Sequence, residues 1–350
     1  MGTPATAIVN NIYLTMRRLP IFFVLDCSES MVGEPIAAVE NGLLQCYMAL
    51  RRDPHASESA YISVITFGST AKQVVPLTEL TLFQPPKLVL GSGTALGAAL
   101  ELLEKRIDVE VTKTTHEAKG DYKPLVFLLT DGEPTDRWEA VADRFMKNRS
   151  LQLIAVGCGQ DANPATLRRI TECAILGGEA NQETFAQFFQ WVSASVATAS
   201  QAIDRGGEAK LPFGEFPHGG DLQIVDNSTP IPPIVQNRFI FLHCRCVKKK
   251  QFYLMKFEID SWDKNYYVSR AFPLDDFEQI TEGGGVTVST SQLHGNVPCP
   301  YCGDQLWAMC SCGKVHCCPI YQGSVVLTCP WCGITDTYGA GSFDLGGGGG

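Results

Sequence analysis

The feature that most constrains this chain is an apolar run followed at once by small polar residues. Residues 21–25 have the continuous hydrophobicity of a strand that is buried on both faces of a parallel sheet. Asp26, Ser28 and Ser30 follow directly, at alternate positions. Side chains at the carboxyl end of such a strand line the crevice in which α/β proteins bind ligands. This segment therefore predicts one carboxylate and two hydroxyls at a binding crevice.

Two later segments carry matching donors. Thr94 stands before an amphipathic helix, after Gly91-Ser92-Gly93, and Asp131 follows the apolar strand predicted at residues 125–129. Hard oxygen donors of this kind suit Mg²⁺, with Mn²⁺ or Ca²⁺ as alternatives. Because only two of the five donors are carboxylates, a bound ion would keep much of its positive charge and could accept an oxygen from a partner's Asp or Glu. The pattern predicts a site that binds rather than reacts.

The order Asp-x-Ser-x-Ser, then Thr, then Asp resembles the metal-ion-dependent adhesion site of von Willebrand factor A (VWA) domains, with all five positions filled by Asp26, Ser28, Ser30, Thr94 and Asp131. The resemblance implies that the serines and the threonine coordinate the metal directly or nearly so. It implies that the aspartates bind directly or through water, and that a sixth coordination position stays open for an acidic residue of a partner protein.

The spacing of apolar residues predicts the fold class of the first domain. Strands and helices alternate from residue 19 to about residue 202, which is typical of an α/β, doubly wound, mostly parallel, Rossmann-like sheet. We predict strands at residues 19–25, 61–67, 125–130 and 151–156, with an antiparallel edge strand at 71–76. The predicted helices cover residues 35–50, 94–106, 137–147 and 183–202, and another begins at Asn163-Pro164. Residues 1–205 are assigned to this domain.

The pattern changes after Gly206-Gly207. Residues 206–237 are rich in Pro and Gly and are predicted to be a linker. Residues 238–338 are predicted to form a small β-rich, zinc-ribbon-like module, with strands at 238–247, 252–259 and 266–271. Residues 339–350 end in five glycines and are predicted to be a flexible tail.

Cysteine spacing predicts zinc in the second module. Eight of the 14 cysteines lie between Cys299 and Cys332, a clustering that favours metal binding in a reducing compartment over a disulfide framework. Two Cys-x-x-Cys-Gly knuckles are expected to present their thiolates to one tetrahedral ion through Cys299, Cys302, Cys329 and Cys332. A second ion would use Cys310, Cys312 and Cys317, with His316 or Cys318 as the fourth ligand. One or two zinc ions, and the pairing of ligands between them, remain open at this point.

Two further cysteines bear on which residues bind zinc. Cys244 and Cys246 alternate along a predicted strand and so share one face of it. They could join a metal cluster, but buried packing is favoured because free cysteine is among the most buried residue types.

Composition narrows the class of function. The 350 residues include 28 Lys and Arg against 37 Asp and Glu, a formal charge of -9, which disfavours non-specific attraction to nucleic acid or anionic membranes. No apolar stretch approaches the roughly 20 residues that span a bilayer, and the N-terminus lacks the apolar core of a signal peptide. We therefore expect a cytoplasmic protein without membrane contact.

A VWA domain followed by a Cys-rich module resembles the TerY family over nearly the whole chain. The resemblance rests on Arg18-Leu19-Pro20 before the first strand, on Gly33-Glu34-Pro35-Ile36, and on Cys-Pro-Trp-Cys-Gly at residues 329–333. It implies two zinc ions in the C-terminal module and a role in tellurite resistance and stress response. It also implies a protein kinase and a metal-dependent serine/threonine phosphatase as partners in phosphorylation signalling.

These observations favour a non-enzymatic signalling adaptor that binds partner proteins through its Mg²⁺ site. One alternative is a zinc-ribbon module of ubiquitin-ligase or nucleic-acid-binding type, although residues 299–332 hold one lysine, Lys314, and no arginine. Another is a metal-dependent hydrolase, against which no His or Lys stands beside the Asp26 motif as a general base. We expect no catalytic residue and no organic cofactor.

Overall fold

The computed structural model describes residues 17–116, 118–147, 150–159, 162–205, 207–208, 222–225, 239–260, 262–274, 286–320, 323–339 and 344–349. The predicted VWA residues 1–16 lie outside this set, as do residues 206, 209–221 and 226–237 of the predicted linker.

The first domain is built on one twisted sheet. Its strands are β1 (Leu19–Asp26), β2 (Ala60–Phe67), β3 (Ala71–Glu79), β4 (Leu125–Thr130), β5 (Gln152–Cys158), β6 (Cys173–Gly177) and β7 (Leu222–Ile224). Within the described residues the sheet has seven strands in the order β3-β2-β1-β4-β5-β6-β7. Neighbours from β2 to β6 are parallel, while β3 and β7 are antiparallel edge strands. The predicted α/β class is confirmed.

Helices cover both faces of this sheet. They are α1 (Glu34–Arg52), α2 (Pro54–Ser59), α3 (Leu96–Glu110), α4 (Glu139–Lys147), α5 (Pro164–Ile170) and α6 (Gln182–Asp204). Asparagine caps start two of them: the side chain of Asn163 accepts a hydrogen bond from the Ala165 backbone, and that of Asn181 from the Thr184 backbone. Such caps satisfy backbone N–H groups that have no partner in the first turn.

Alternation along β1 separates two apolar cores. Phe23 and Leu25 pack with α1 and α6 on one face, whereas Phe22 and Val24 pack with α3 and α4 on the other. All eight residues of β1 are buried, as expected for a central parallel strand. This burial fixes the strand whose carboxyl end carries Asp26.

The predicted linker contains part of the first domain. Strand β7 pairs with β6, with Ile224 opposite Ile175, so the chain adds an edge strand to the VWA sheet before it enters the second module. Strand β6 and the short helix α2 are likewise elements that the sequence pattern did not predict.

The second module is an all-β unit. It comprises β8 (Phe239–Arg245), β9 (Phe252–Ile259), β10 (Tyr266–Pro273), β11 (Val286–Ser289), β12 (Leu293–His294), β13 (Leu306–Met309), β14 (Val315–Cys318), β15 (Ser324–Thr328), β16 (Thr335–Gly339) and β17 (Asp344–Gly349). Over the residues described, β8 and β9 lie at the centre of an eight-stranded sheet, and β15 and β16 form a separate hairpin. The three strands predicted from sequence correspond to β8, β9 and β10.

The glycine-rich end differs from the predicted flexible tail. Asp344–Gly349 forms β17, which pairs with β11 and places Gly348 opposite Phe241 of β8. Gly339 lies opposite Ser324 at the end of β16. Glycine keeps both backbone hydrogen-bonding groups, so it can complete a ladder without contributing a packed side chain. Residues 340–343 and 350 lie outside the described set.

The two domains share apolar packing. Phe241, Leu254 and Leu274 of the second module belong to the same buried cluster as Phe23 and α6 of the first. Phe272 lies so close to Gly33, at the start of α1, that a Cβ added there would be 2.8 Å from its ring. Gly33 also has a φ of 88°, which favours glycine. The second module is therefore packed directly beside the loop that follows β1.

Candidate metal-binding sites

The first candidate site begins at the carboxyl end of β1. Asp26 is fully buried; its Oδ1 accepts a hydrogen bond of 2.9 Å from the Ser28 backbone and its Oδ2 one of 2.6 Å from the Thr130 hydroxyl. Burial raises the pKa of Asp26 to about 6, although these hydrogen bonds oppose the rise. A buried carboxylate of this kind gains from a nearby cation.

Donors from the neighbouring loops converge on the same point. Ser28 and Ser30 place their hydroxyl oxygens 2.9 Å apart, and the Ser30 hydroxyl donates a hydrogen bond of 2.7 Å to Asp131. A Cβ added to Gly132 would lie 3.6 Å from the Thr94 hydroxyl and 3.8 Å from that of Ser30. The structure thus brings together all five residues predicted for the adhesion site.

Two residues that sequence reasoning missed hold Thr94 and the start of the helix that follows it. The Thr135 hydroxyl accepts a hydrogen bond of 2.9 Å from the Thr94 backbone N–H, and the Thr135 backbone N–H donates to the Thr94 carbonyl at 2.9 Å. Asp136 accepts hydrogen bonds from the Gly97 and Ala98 backbones at the start of α3. The available signal was the Pro-Thr-Asp sequence just after Asp131, since Thr and Asp readily bond to backbone groups.

The donor set fits a hard divalent cation. Four of the five predicted ligands are nearly inaccessible, with exposures of 0% for Asp26, 2% for Ser28 and 6% for Thr94 and Asp131. Two carboxylates and three hydroxyls match the oxygen preference of Mg²⁺, Mn²⁺ or Ca²⁺. These residues would hold the ion, with two carboxylates to balance its charge and three neutral hydroxyls to complete its oxygen shell.

The first cysteine cluster joins β8, β14 and one knuckle. The ligand atoms of Cys246, Cys299, Cys302 and Cys317 all lie within 4.8 Å of one another. Backbone N–H groups point at two of the sulfurs: Val247 at Cys317 over 3.2 Å and Lys249 at Cys246 over 3.3 Å. Such N–H···S contacts support thiolate ligands from outside the coordination shell.

The second cysteine cluster joins the other knuckle to the turn between β13 and β14. It consists of Cys310, Cys312, Cys329 and Cys332, again with all sulfurs within 4.8 Å. Glycine follows the second cysteine of each Cys-containing turn with φ near 78°, at Gly303, Gly313 and Gly333. A positive φ of this size favours glycine, which explains the residue at these tight turns.

The structure pairs the cysteines differently from the sequence expectation. The knuckles Cys299/Cys302 and Cys329/Cys332 belong to different clusters, and each completes its set with two other cysteines. The expected single site made of both knuckles is therefore not formed. The reason is nonlocal, because β14 runs beside β8 with His316 opposite Arg245 and so carries Cys317 to Cys246.

Neither His316 nor Cys318 belongs to either of the two clusters found among the described residues. Both are fully buried in β14, but alternate residues of a strand point to opposite faces, so they leave the face that Cys317 occupies. The His316 Nδ1 lies 3.0 Å from the Cys317 carbonyl, and its ring packs edge-on against Tyr338.

Of Cys244 on β8 and Cys246 directly after it, Cys246 enters a cluster. Cys244 stays in the apolar core, with its sulfur 3.4 Å from the Leu242 carbonyl, as packing predicted. The expectation that Cys246 is also core filler was wrong. Its position directly before the turn at residues 247–250 was the available signal. In the structure a backbone N–H of that turn, from Lys249, lies 3.3 Å from its sulfur, and the Trp331 N–H lies 3.4 Å from that of Cys329 in a knuckle.

The electrostatics of the first cluster favour a bound cation. A hydrogen bond from Cys317 holds the pKa of Cys299 at about 5, whereas burial raises that of Cys302 to about 12. Four thiols this close cannot all ionise without a positive charge between them. The eight sulfurs are not joined in disulfides, and tetrahedral four-thiolate sets are typical of structural zinc.

Comparisons with known proteins agree with both halves of this description. The family model of the von Willebrand factor type A domain matches residues 21–190, and that of the TerY-C metal binding domain matches residues 236–350. Two von Willebrand factor A domain-containing proteins of Dictyostelium discoideum are 30% identical over 119 residues and 26% identical over 145 residues. These matches cover 33% and 40% of this chain but only 12% and 15% of the relatives.

Among solved structures, a von Willebrand factor type A protein from Catenulispora acidiphila aligns with a TM-score of 0.41 and 19% identity, covering 52% of this chain and 43% of its own. In the described part of the chain, no helix is both long and apolar enough to cross a membrane.

Because both domain models match in order along one polypeptide, this protein belongs to the TerY family, in which a VWA domain is joined to a TerY-C metal binding domain.

Proposed function

We propose that this protein is a non-enzymatic cytoplasmic adaptor that binds an acidic residue of a protein partner through a divalent cation. The observation that supports this most is the convergence of three hydroxyls and two carboxylates on one point at the sheet edge. A site with so few carboxylates leaves its ion able to attract a further anionic oxygen.

Zinc serves a structural role in this proposal. Each cysteine cluster supplies four sulfurs, which fills a tetrahedral shell and leaves no position for a catalytic water. TerY membership favours a kinase and a metal-dependent serine/threonine phosphatase as the partners, within a phosphorylation system for tellurite resistance and stress response.

The cation site is tested by calorimetry with Mg²⁺ on the full chain. We expect Asp131→Ala, Asp26→Ala and Ser28→Ala each to lose the binding heat, because each removes an oxygen at the convergence point. Asp108→Ala is the matched control, since this exposed aspartate pairs with Lys113 on the surface. Unchanged Mg²⁺ affinity in the three site variants would disprove the assignment.

The partnership is tested by pull-down with the kinase and the phosphatase of the same system. Mg²⁺ should be omitted by dialysis rather than chelated, because a chelator strong enough to remove it would also strip zinc from the cysteine clusters. We expect capture with Mg²⁺ and its loss without Mg²⁺ or in Asp131→Ala. Capture that is independent of Mg²⁺, or no capture of either protein, would contradict the adaptor function.

A further inference from the structure

A histidine of the second module contacts the loop that follows β1 and carries Ser28, Glu29 and Ser30, which we call the adhesion loop. The Nε2 atom of His243, on β8, lies 3.2 Å from Oε1 of Glu29, which stands between Ser28 and Ser30. The Glu29 side chain is only 3% exposed. The two atoms are at ion-pair distance, with an alignment short of a regular hydrogen bond. A residue of one domain thus touches the adhesion loop of the other.

Glu29 links two loops of the adhesion site. Its Oε2 accepts a hydrogen bond of 2.7 Å from the Gly93 backbone N–H, and Gly93 directly precedes Thr94. Gly93 has a φ of 70°, a conformation that side-chain-bearing residues rarely adopt. The orientation of the Glu29 carboxylate therefore bears on the position of Thr94 as well as on the two serines beside it.

The strand that carries His243 has two different faces. Ile240, Leu242 and Cys244 point into the core of the second module, whereas Phe241 packs into the core shared with the first domain. By the alternation of strands, His243 lies on the face of Phe241, toward the first domain. Cys246, a member of the first cysteine cluster, directly follows the same strand.

We infer that His243 is a positioning residue of the adhesion site, supplied in cis by the zinc-binding module. It acts through Glu29: an N–H at Nε2, 3.2 Å from Oε1, attracts the buried carboxylate electrostatically and so keeps Oε2 on Gly93. A buried carboxylate that loses a nearby polar group turns toward another donor, since a buried charge far from any polar partner is costly. This inference rests on the proposed cation site.

The test compares His243→Gln with His243→Leu in the full chain. The two side chains are close in volume, but only glutamine has an N–H group to present to Glu29. We expect His243→Leu to bind Mg²⁺ about fivefold to tenfold more weakly than the wild type, and His243→Gln to recover most of the affinity. His55→Ala is the control, because this exposed histidine lies 3.4 Å from Asp204, an acidic residue remote in sequence from the three metal loops.

Zinc content and melting temperature are measured on each variant. If His243→Leu fails to retain its zinc, His243→Asn takes its place, since its shorter amide cannot reach Glu29. Equal Mg²⁺ affinity in the glutamine and leucine (or asparagine) variants would overturn the inference. The inference would also fail if His243→Leu weakened Mg²⁺ binding as much in a Glu29→Ala background as in the wild type. Substitutions of two residues that act through one contact should not have additive effects.

Asp131→Ala distinguishes this inference from the proposed function. If Asp131→Ala abolishes Mg²⁺ binding and His243→Leu leaves it unchanged, only the role of His243 fails. If Asp131→Ala leaves Mg²⁺ binding unchanged, the cation site itself fails.

Discussion

The structure and the sequence expectation assign the cysteines to different zinc sites. The number of zinc ions retained by cysteine variants distinguishes the two assignments. Cys312 and Cys332 are the exposed members of the second cluster, so replacing them with serine opens no core cavity. Because both serve one ion, Cys312→Ser, Cys332→Ser and the double variant should each retain one zinc of two. If both knuckles shared an ion, Cys332 and Cys312 would belong to different sites, and the double variant would lose both ions.

The expected effect on stability is local. Among the described residues, the second cluster packs in a small apolar group that includes Tyr338 and Leu327, and it holds the β15–β16 hairpin. A two-stranded hairpin is at best marginally stable in water, while a structural zinc ion contributes on the order of 10 kcal/mol of binding free energy. Loss of this ion should therefore unfold the hairpin and leave the sheet around β8 in place.

Native mass spectrometry of the folded chain counts the ions directly, with elemental analysis as a second measurement. Cys173→Ser is the control, because this half-buried cysteine of β6 belongs to neither cluster and should leave two zinc ions. Cys302→Ser/Cys332→Ser, with one change in each cluster, should lose both. A double variant of Cys312 and Cys332 that carries no zinc would refute the pairing.

Two further predictions concern the first domain. A Cβ added at Gly42 would lie 2.1 Å from the ring of Phe189, so Gly42→Ala should lower the free energy of unfolding by about 1–3 kcal/mol through overpacking. Urea unfolding measures this change, with Gln45→Ala, at an exposed position of the same helix, as the control. In Mg²⁺-free protein, burial raises the folded-state pKa of Asp26 from 3.8 to about 6. The folded state therefore binds more protons than the unfolded state, and the free energy of unfolding should fall by up to about 3 kcal/mol as pH rises from about 4 to 6. Thermal melting should show this fall, Asp26→Asn should remove it and Mg²⁺ should oppose it, whereas a melting temperature independent of pH would contradict a buried carboxylate.

The elements that sequence predicted well are those with a strong local period. Strands β1 and β4 are continuous apolar runs buried on both faces, and helix α1 carries a stripe of apolar residues together with Pro35 in its first turn. The five oxygen donors were found because each follows a strand or precedes a helix, and parallel strands end at a common edge. Local pattern was therefore sufficient to predict that these five side chains lie together.

The errors have a common physical origin in long-range pairing. Whether Cys246 is a ligand depends on β14 running beside β8, and whether Gly348 lies in a sheet depends on β8 and β11 offering free edges. No local period encodes either contact. Strand β7 was missed for a similar reason, since three residues show no alternation until β6 provides the partner.

Strand β8 connects the first cysteine cluster with the loop that carries Glu29, through the alternation of its side chains. Phe241 and Leu254 are almost completely buried in the core shared by the domains, and each such side chain contributes about 1.5–3 kcal/mol when removed from water. Docking of the second module by these residues and Leu274 is thus worth several kcal/mol, enough to keep His243 beside Glu29 for most of the time. A slip of one residue along β8 would turn Cys246 away from its cluster and Phe241 away from the first domain together. The register that assembles the first cysteine cluster is therefore the same register that presents His243 to the adhesion loop, so these two features form together or not at all.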